Sequence, residues 1–313
     1  MVSREDVIEA AARIAGLVQR TPLIESEIAG TRVWLKCECL QTGGAFKLRG
    51  ATNRLLQLSP EEREKGVVAF SSGNHARGVA IAARRLGIRA VIVMPADAPQ
   101  VKIEGTRSEG AEIVFYDRRT ESREEIAARI AAETGATVVP SFDDNRIVAG
   151  QGTAGLEIVE QLGRSPKRIV TPCGGGGLAS GLALAVPESH IVVVEPEGWD
   201  DMARSLDRGE IVPVSPDAPN TFCDAIMTPR VSPITLGVLR QRHATAVSVS
   251  DAEVADAIRF AWAEHNLVVE PGAAVGLAAL LSGKIPPMAD TVVVLSGGNV
   301  DPALHARIIA EAA

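Results

Sequence analysis

Short, almost wholly apolar segments recur along the chain, most of them followed by a helical stretch, and this rhythm limits the possible folds more than any other feature. "VVAF" (67–70), "RAVIVM" (89–94), "AEIVFY" (111–116), "ATVV" (136–139), "RIVTP" (168–172), "HIVVVE" (190–195) and "TVVVLS" (291–296) read as strands. A strand that is apolar on both faces must be covered on both, which is the condition of a parallel sheet in an α/β protein. Helical signals lie between them. Ser3 and Asp6 resemble a capping box, and Val7, Ala11, Ile14 and Val18 share a helical face before Thr21–Pro22 ends it. "RVWLKCECL" (32–40) has strand character, and a helix follows "GGAFK" (43–47) through Leu55, Leu56 and Leu58. "SPEEREKG" (59–66) carries a cap, a first-turn proline, acids and a terminal glycine. Further helices are predicted over 75–86, 122–134 and 151–163. The stretch 210–233, rich in proline and polar residues, is the longest irregular one, and long ordered loops often belong to a site.

The 313 residues, 46% hydrophobic, are enough for two lobes around a large core. A net charge of -7 argues against binding a phosphate backbone, so no nucleic-acid partner is expected. Cys37, Cys39, Cys173 and Cys223 include no C-x-x-C pair and read as reduced, mostly buried thiols. No apolar run approaches the ~20 residues of a membrane span. A cytoplasmic protein without a membrane partner is the expectation.

Ligands in open α/β sheets bind beyond the carboxyl ends of strands. Three such places stand out. "SSGNHA" (71–76) puts two hydroxyls, a glycine, an amide and an imidazole at a helix start, a setting suited to a carboxylate. "CGGGGLASG" (173–181) strips the side chains from a strand-to-helix turn, so its N–H groups can wrap a phosphate. It also contains Gly174-x-Gly176-x-x-Ala179, with Glu195 about 20 residues on, which keeps a nicotinamide dinucleotide open as a ligand. "SGGNVD" (296–301) offers a hydroxyl at a third strand end. "TGGAFKLRG" (42–50) adds one lysine, Lys47, between a glycine turn and a helix start. A phosphate nest, a carboxylate loop and a presented lysine suit a small phosphorylated aldehyde and an amino acid, because lysine forms a Schiff base with carbonyl compounds.

In order along nearly the whole chain, "AFKLRGA", "SSGNHARGVA", "GGGGL" and "SGGN" resemble the motifs of the serine/threonine dehydratase and serine racemase family of fold-type II pyridoxal-phosphate enzymes. The resemblance implies a two-lobed, tryptophan synthase β-like fold of mostly parallel sheets covered by helices on both faces. The large cofactor-binding lobe would be 1–50 with 145–313, and the small mobile lobe 51–144. Lys47 would hold the cofactor's aldehyde and later move the α-proton, with Phe46 flanking the ring. Asn74 would bond the cofactor's 3-oxygen. Gly174, Gly175, Gly176 and Gly177 would hold the phosphate, with Leu178 beginning the helix. Ser296 would bond the pyridine nitrogen, and Glu270 matches a glutamate near the cofactor. Ser71, Ser72, Gly73, Asn74 and His75 would surround the substrate carboxylate, with Ser72 on the face opposite Lys47 as a second acid or base. "VEPEGWDD" (194–201) resembles the family's cation site. There Glu195, Asp201 and the Trp199 carbonyl would hold Mg²⁺ or Ca²⁺.

The implied activity is dehydration of L-threonine or L-serine to a 2-oxo acid and ammonia by a homodimer. A serine racemase or 3-hydroxyaspartate dehydratase on the same scaffold is the near alternative, and a nicotinamide-dependent oxidoreductase the distant one. The chain differs from the family at "TFCDAIM" (221–227), where Cys223, Asp224 and Ala225 replace Ala-Asp-Gly. It also has Arg77 where many members have Gln, and a base there would favour an acidic substrate such as 3-hydroxyaspartate. So short a tail after "SGGNVD" leaves no room for an appended C-terminal regulatory domain.

Overall fold

The computed structural model describes every residue except Ser72, Ala312 and Ala313. Its strands are β1 (Leu23–Ile28), β2 (Thr31–Lys36), β3 (Val67–Phe70), β4 (Ala90–Pro95), β5 (Glu112–Tyr116), β6 (Thr137–Val138), β7 (Arg168–Pro172), β8 (His190–Pro196), β9 (Thr245–Val249) and β10 (Thr291–Val294). They form a six-stranded sheet, β1-β2-β10-β7-β8-β9, and a four-stranded sheet, β5-β4-β3-β6. Every pairing is parallel except β1 with β2. The inner strands β4, β7 and β10 are buried along their whole length, as their apolar runs require. Apolar side chains pack on both faces of each sheet. The mostly parallel two-sheet α/β architecture expected from the strand rhythm is therefore present.

The differences fall at edges and ends. Sequence rhythm missed β1 and β9, which lie at the two edges of the large sheet, where one strand face need not be apolar. β1 reads "LIESEI" and turns into β2 through Ala29 and Gly30, both at positive φ, a two-residue hairpin turn. The strand expected over 32–40 stops at Lys36. There the Cys37 N–H turns to Pro22 O, the Cys39 N–H turns to Leu295 O, and Glu38–Leu40 coils into one 3₁₀ turn. The first helix, Arg4–Ile14, ends well before Thr21, because Gly16 leaves the helical region at φ 76. The helix expected from 151 begins at Asn145, capped by Asp144. The predicted capping box at Ser3 is formed, and the expected cap Ser59 also forms one, with Glu62.

The three unusual loops follow β3, β7 and β10 at their carboxyl ends, and all three reach one crevice, as the rule for open parallel sheets demands. The lysine loop is sewn to the third of them. The Phe46 N–H donates to Ser296 O (3.1 Å), the Gly298 N–H donates to Gly44 O (2.8 Å), and Ala45 bridges Gly297.

Candidate active site

Four helices point their N-termini into this crevice: Lys47–Leu56, Asn74–Leu86, Gly177–Ala185 and Pro271–Leu281. None has a side-chain cap. Elsewhere Ser3, Ser59, Ser122, Asp144, Ser232, Ser250 and Asp301 each cap a helix. Free N–H groups at a helix start carry partial positive charge and attract anions. Leaving them open where they converge costs stability unless a ligand supplies the acceptors.

The glycine run explains how an anion can come close. Gly176 sits at φ 86, where a side chain would be strained. A Cβ on Gly175 would lie 2.3 Å from the Phe142 ring, and one on Gly174 2.8 Å from Thr228 Oγ1. The helix begins at Gly177, one residue ahead of Leu178. A side chain anywhere in this cradle would fill the space that a phosphate needs.

Lys47 lines the same crevice. Its Nζ donates to Ser141 O (3.1 Å) and lies 5.1 Å from the centre of the Phe46 ring. No carboxylate among the described residues bonds to it. Burial alone pushes its ammonium down to about 8. Burial disfavours the charged form, so the neutral amine becomes the major species once the pH passes about 8 rather than near the usual lysine value. Reductive methylation of the cofactor-free protein, read by peptide mass, should modify Lys47 with a midpoint near that pH. Exposed Lys65, held up by the hydrogen bond it donates to Glu61, should lag. A midpoint for Lys47 in the ordinary lysine range would refute the burial argument.

Phe46, Ser71, Gly73, Asn74, His75, Glu270 and Ser296 line the same crevice as Lys47, Leu178 and the four glycines. The expected role of Ser72 falls outside the described residues. The His75 Nε2–H bonds Val139 O at 2.9 Å, and its Nδ1 is buried without a partner among the described residues. Burial, followed by the nearby Lys47 charge, lowers it to about 3, so the ring is neutral. Glu270 ends the segment before Pro271, yet its side chain does not cap that helix. Instead Oε1 accepts from Asn74 Nδ2 at 2.5 Å, while Oε2 is buried with no partner. Burial raises its carboxyl to about 7. Asn74 Oδ1 in turn accepts from Asn299 Nδ2 at 2.8 Å.

Two expectations need correction. Arg77 does not face the crevice. It donates to Asn299 Oδ1 at 3.1 Å and lines a neighbouring hollow. The cations in the crevice are Lys47, Lys102 and Arg123. Glu195 cannot serve a nucleotide ribose. It is fully buried, and its two oxygens accept from the Met202 and Ala203 N–H groups, both at 2.9 Å. The dinucleotide reading fails with it.

Glu195, near the end of β8, and Trp199 and Asp201, just beyond it, lie outside the crevice. Trp199 Nε1 donates to Pro219 O at 2.8 Å. Asp201 Oδ2 is buried without a partner. Burial, then the neighbouring Asp201 charge, raises Glu195, and burial lifts Asp201 to about 7. Two carboxylates in this state suit a cation, although no cluster of three or more His, Cys, Asp or Glu occurs among the described residues. All four cysteines are free and buried.

Sequence reading passed over several residues that shape the crevice: Ser141, Phe142, Thr228, Lys102 and Arg123. It also passed over a buried charge cluster directly behind Lys47. Arg49 Nε and Nη2 clamp the two Glu38 oxygens at 2.8 Å each, and Nη1 reaches Glu157 at 2.6 Å. Lys36 joins Glu157 at 2.6 Å. Lys36, Glu38 and Arg49 are each 0% exposed. The only local signal was the pair of charges inside the apolar "WLKCECL".

The fold and crevice define an enzyme class built around one desolvated lysine facing an anion cradle. Residues 14–297 match the family described as pyridoxal-phosphate dependent enzyme, and the chain belongs to that family. It is 43% identical to an L-threo-3-hydroxyaspartate ammonia-lyase of Pseudomonas sp, over 98% of each chain. It is 40% identical to an L-threonine ammonia-lyase of Thermotoga maritima, over 99% of this chain and 78% of the relative. The solved structure of maize serine racemase superposes with a TM-score of 0.92 at 37% identity, covering 99% of this chain and 98% of the other.

Proposed function

We propose that the protein is an ammonia-lyase that converts a β-hydroxy amino acid to a 2-oxo acid and ammonia. The observation that carries this reading is Lys47, a buried amine without a carboxylate partner among the described residues, in the same crevice as a glycine cradle and open helix N-termini. The chain's likeness to two ammonia-lyases supports it.

The cradle and Lys47 fit pyridoxal phosphate, with Gly174, Gly175, Gly176 and Gly177 for the phosphate, Lys47 for the aldehyde, Ser296 for the ring nitrogen and Phe46 beside the ring. When bound, the cofactor supplies an aldehyde that captures the substrate amine and a ring that accepts electron density from Cα. The helix start at Gly73–Asn74 takes the substrate carboxylate, with Ser71 and His75 around it. His75 stays neutral and so adds no charge there. Lys47, neutral in good part near pH 8, would remove the Cα proton and pass it to the β-hydroxyl, which leaves as water. Water later replaces the nitrogen, so the net change is amino acid to 2-oxo acid plus ammonia. Glu270 and Asn299 hold Asn74 between them.

The reading also has residues 51–144 closing over the substrate as a unit. Support comes from the long-range bonds Asn74–Glu270 and Lys102–Asp224, which span the crevice. It gives a cytoplasmic homodimer. No helix among the described residues is long and apolar enough to cross a membrane.

Purified holoprotein should release a 2-oxo acid from at least one of L-threonine, L-serine and 3-hydroxyaspartate. Inversion of serine without 2-oxo acid release would move the assignment to the racemase. We further assign Mg²⁺ or Ca²⁺ to Glu195, Asp201 and the Trp199 carbonyl. Either ion should raise Tm by a few degrees, since a ligand that binds only the folded state stabilises it. The shift should vanish in Asp201→Asn. An equal shift in that variant would place the ion elsewhere.

A further inference from the structure

Lys102 is buried and lines the crevice, and the proposed mechanism gives it no role. It lies on the helix Gln100–Arg107, its side chain is 8% exposed, and its Nζ pairs with the Asp224 carboxylate. Its stem runs along the carboxylate loop. A Cβ placed on Gly73 would lie 3.4 Å from its Cδ and 3.5 Å from its Nζ. Asp224 belongs to the single turn Asp224–Ile226 in the long irregular segment, and its side chain is 42% exposed. Ala225 and Ile226 of that turn pack against Gly272, at the start of the helix after Glu270.

The two partners are unequal. Asp224, half solvated, loses little by giving up its lysine, because water replaces it. Lys102, desolvated, cannot stand alone and must keep an anion. An incoming carboxylate can therefore replace Asp224, whereas an uncharged group cannot. The position fixes which carboxylate. The open N-terminus at Gly73–Asn74 takes one, and the ammonium lies beside Gly73, within reach of a second on the neighbouring carbon.

We infer that Lys102 is the specificity-determining residue for a β-hydroxy amino acid bearing a second carboxylate, with Asp224 as the anion that the substrate displaces. This rests on the ammonia-lyase reading and narrows its substrate to the dicarboxylic class. Arg77, the basic residue the sequence singled out, bonds Asn299 and lines the neighbouring hollow, not the crevice.

Two measurements on holoprotein test it. In the first, kcat/KM is compared for 3-hydroxyaspartate and L-serine in wild type, Lys102→Met, Lys102→Arg and Asp224→Asn. Truncating one partner of a buried charge pair implies that the dicarboxylate-over-serine ratio falls roughly 100-fold in Lys102→Met, chiefly through KM. Lys102→Arg should recover much of it, and Asp224→Asn should lower KM for the dicarboxylate. The second is calorimetric binding of malonate and of acetate, which needs no turnover. Malonate should bind wild type more tightly than acetate, and Lys102→Met should remove the difference. Loss of malonate selectivity in a protein that turns over none of these substrates would uphold the subsite and sink the ammonia-lyase reading instead. An unchanged substrate ratio together with unchanged malonate selectivity in Lys102→Met overturns the inference. So does an equal loss on both substrates, which would be the mark of a structural lysine.

Discussion

Lys47→Ala should be colourless as purified and should lose roughly 10⁴-fold or more of its 2-oxo acid production, because both the covalent and the proton-transfer roles fall on one amine. Lys47→Arg should fail as well, since guanidinium stays charged and cannot act as a base. The cofactor-free fold should survive. Lys47 is desolvated, with Ser141 O as its hydrogen-bond partner among the described residues and no ion pair, so its removal relieves a buried amine rather than breaking an ion pair. We expect Tm of the cofactor-free Lys47→Ala protein at or above that of cofactor-free wild type, measured by calorimetry. A large drop in that Tm would mean that Lys47 is a structural residue and that its loss of activity says little about chemistry. Residual turnover near the wild-type rate would remove Lys47 from the mechanism.

The buried cluster behind Lys47 should show the opposite pattern, with stability failing first. Arg49→Met leaves Glu38 buried without its bidentate partner and Glu157 without one of two cations. Breaking such a pair costs about 3–5 kcal/mol, which corresponds to a fall in Tm on the order of 10 °C. Arg49→Lys should rescue little, because a point charge cannot clamp both Glu38 oxygens and reach Glu157 together. The cluster also predicts an acid limit. Burial would push Glu38 up, but the charge and hydrogen bonds of Arg49 hold it below the ordinary carboxylate range. The stability it gives is therefore complete above that range and lost as the pH falls through the lowered value. A wild-type Tm in Arg49→Met, with no change in its acid transition, would show that the cluster is neutral. Arg49 sits two residues after Lys47 on the helix Lys47–Leu56, so this network also fixes where the amine stands.

Much of this site can be read from the sequence for a local reason. A run of four glycines, a lysine after a glycine turn and a polar loop after an apolar strand state their chemistry within a few residues. The strand rhythm then places them together, because loops after parallel strands emerge at one edge of a sheet. Asn74, Gly174 to Gly177 and Ser296 reach one crevice for that reason, and Lys47 and Glu270 join them there. Arg77 shows where the reasoning stops. It was expected to face the substrate from its place one turn into a helix, but its direction is set by Asn299, 222 residues away.

By itself, then, the sequence determined the two-faced parallel sheets, the loops that carry chemistry and the residues in those loops, since periodicity and backbone freedom are local properties. Tertiary structure alone decided the partners and the state of the charges. It brought Lys102 to Asp224 across 122 residues and Asn74 to Glu270 across 196, and it buried Arg49 against Glu38 and Glu157. It also stripped water from Lys47, and so set an amine that would be charged on a surface near the point of losing its proton. Burial and pairing depend on what arrives from elsewhere in the chain, and no local pattern carries that information.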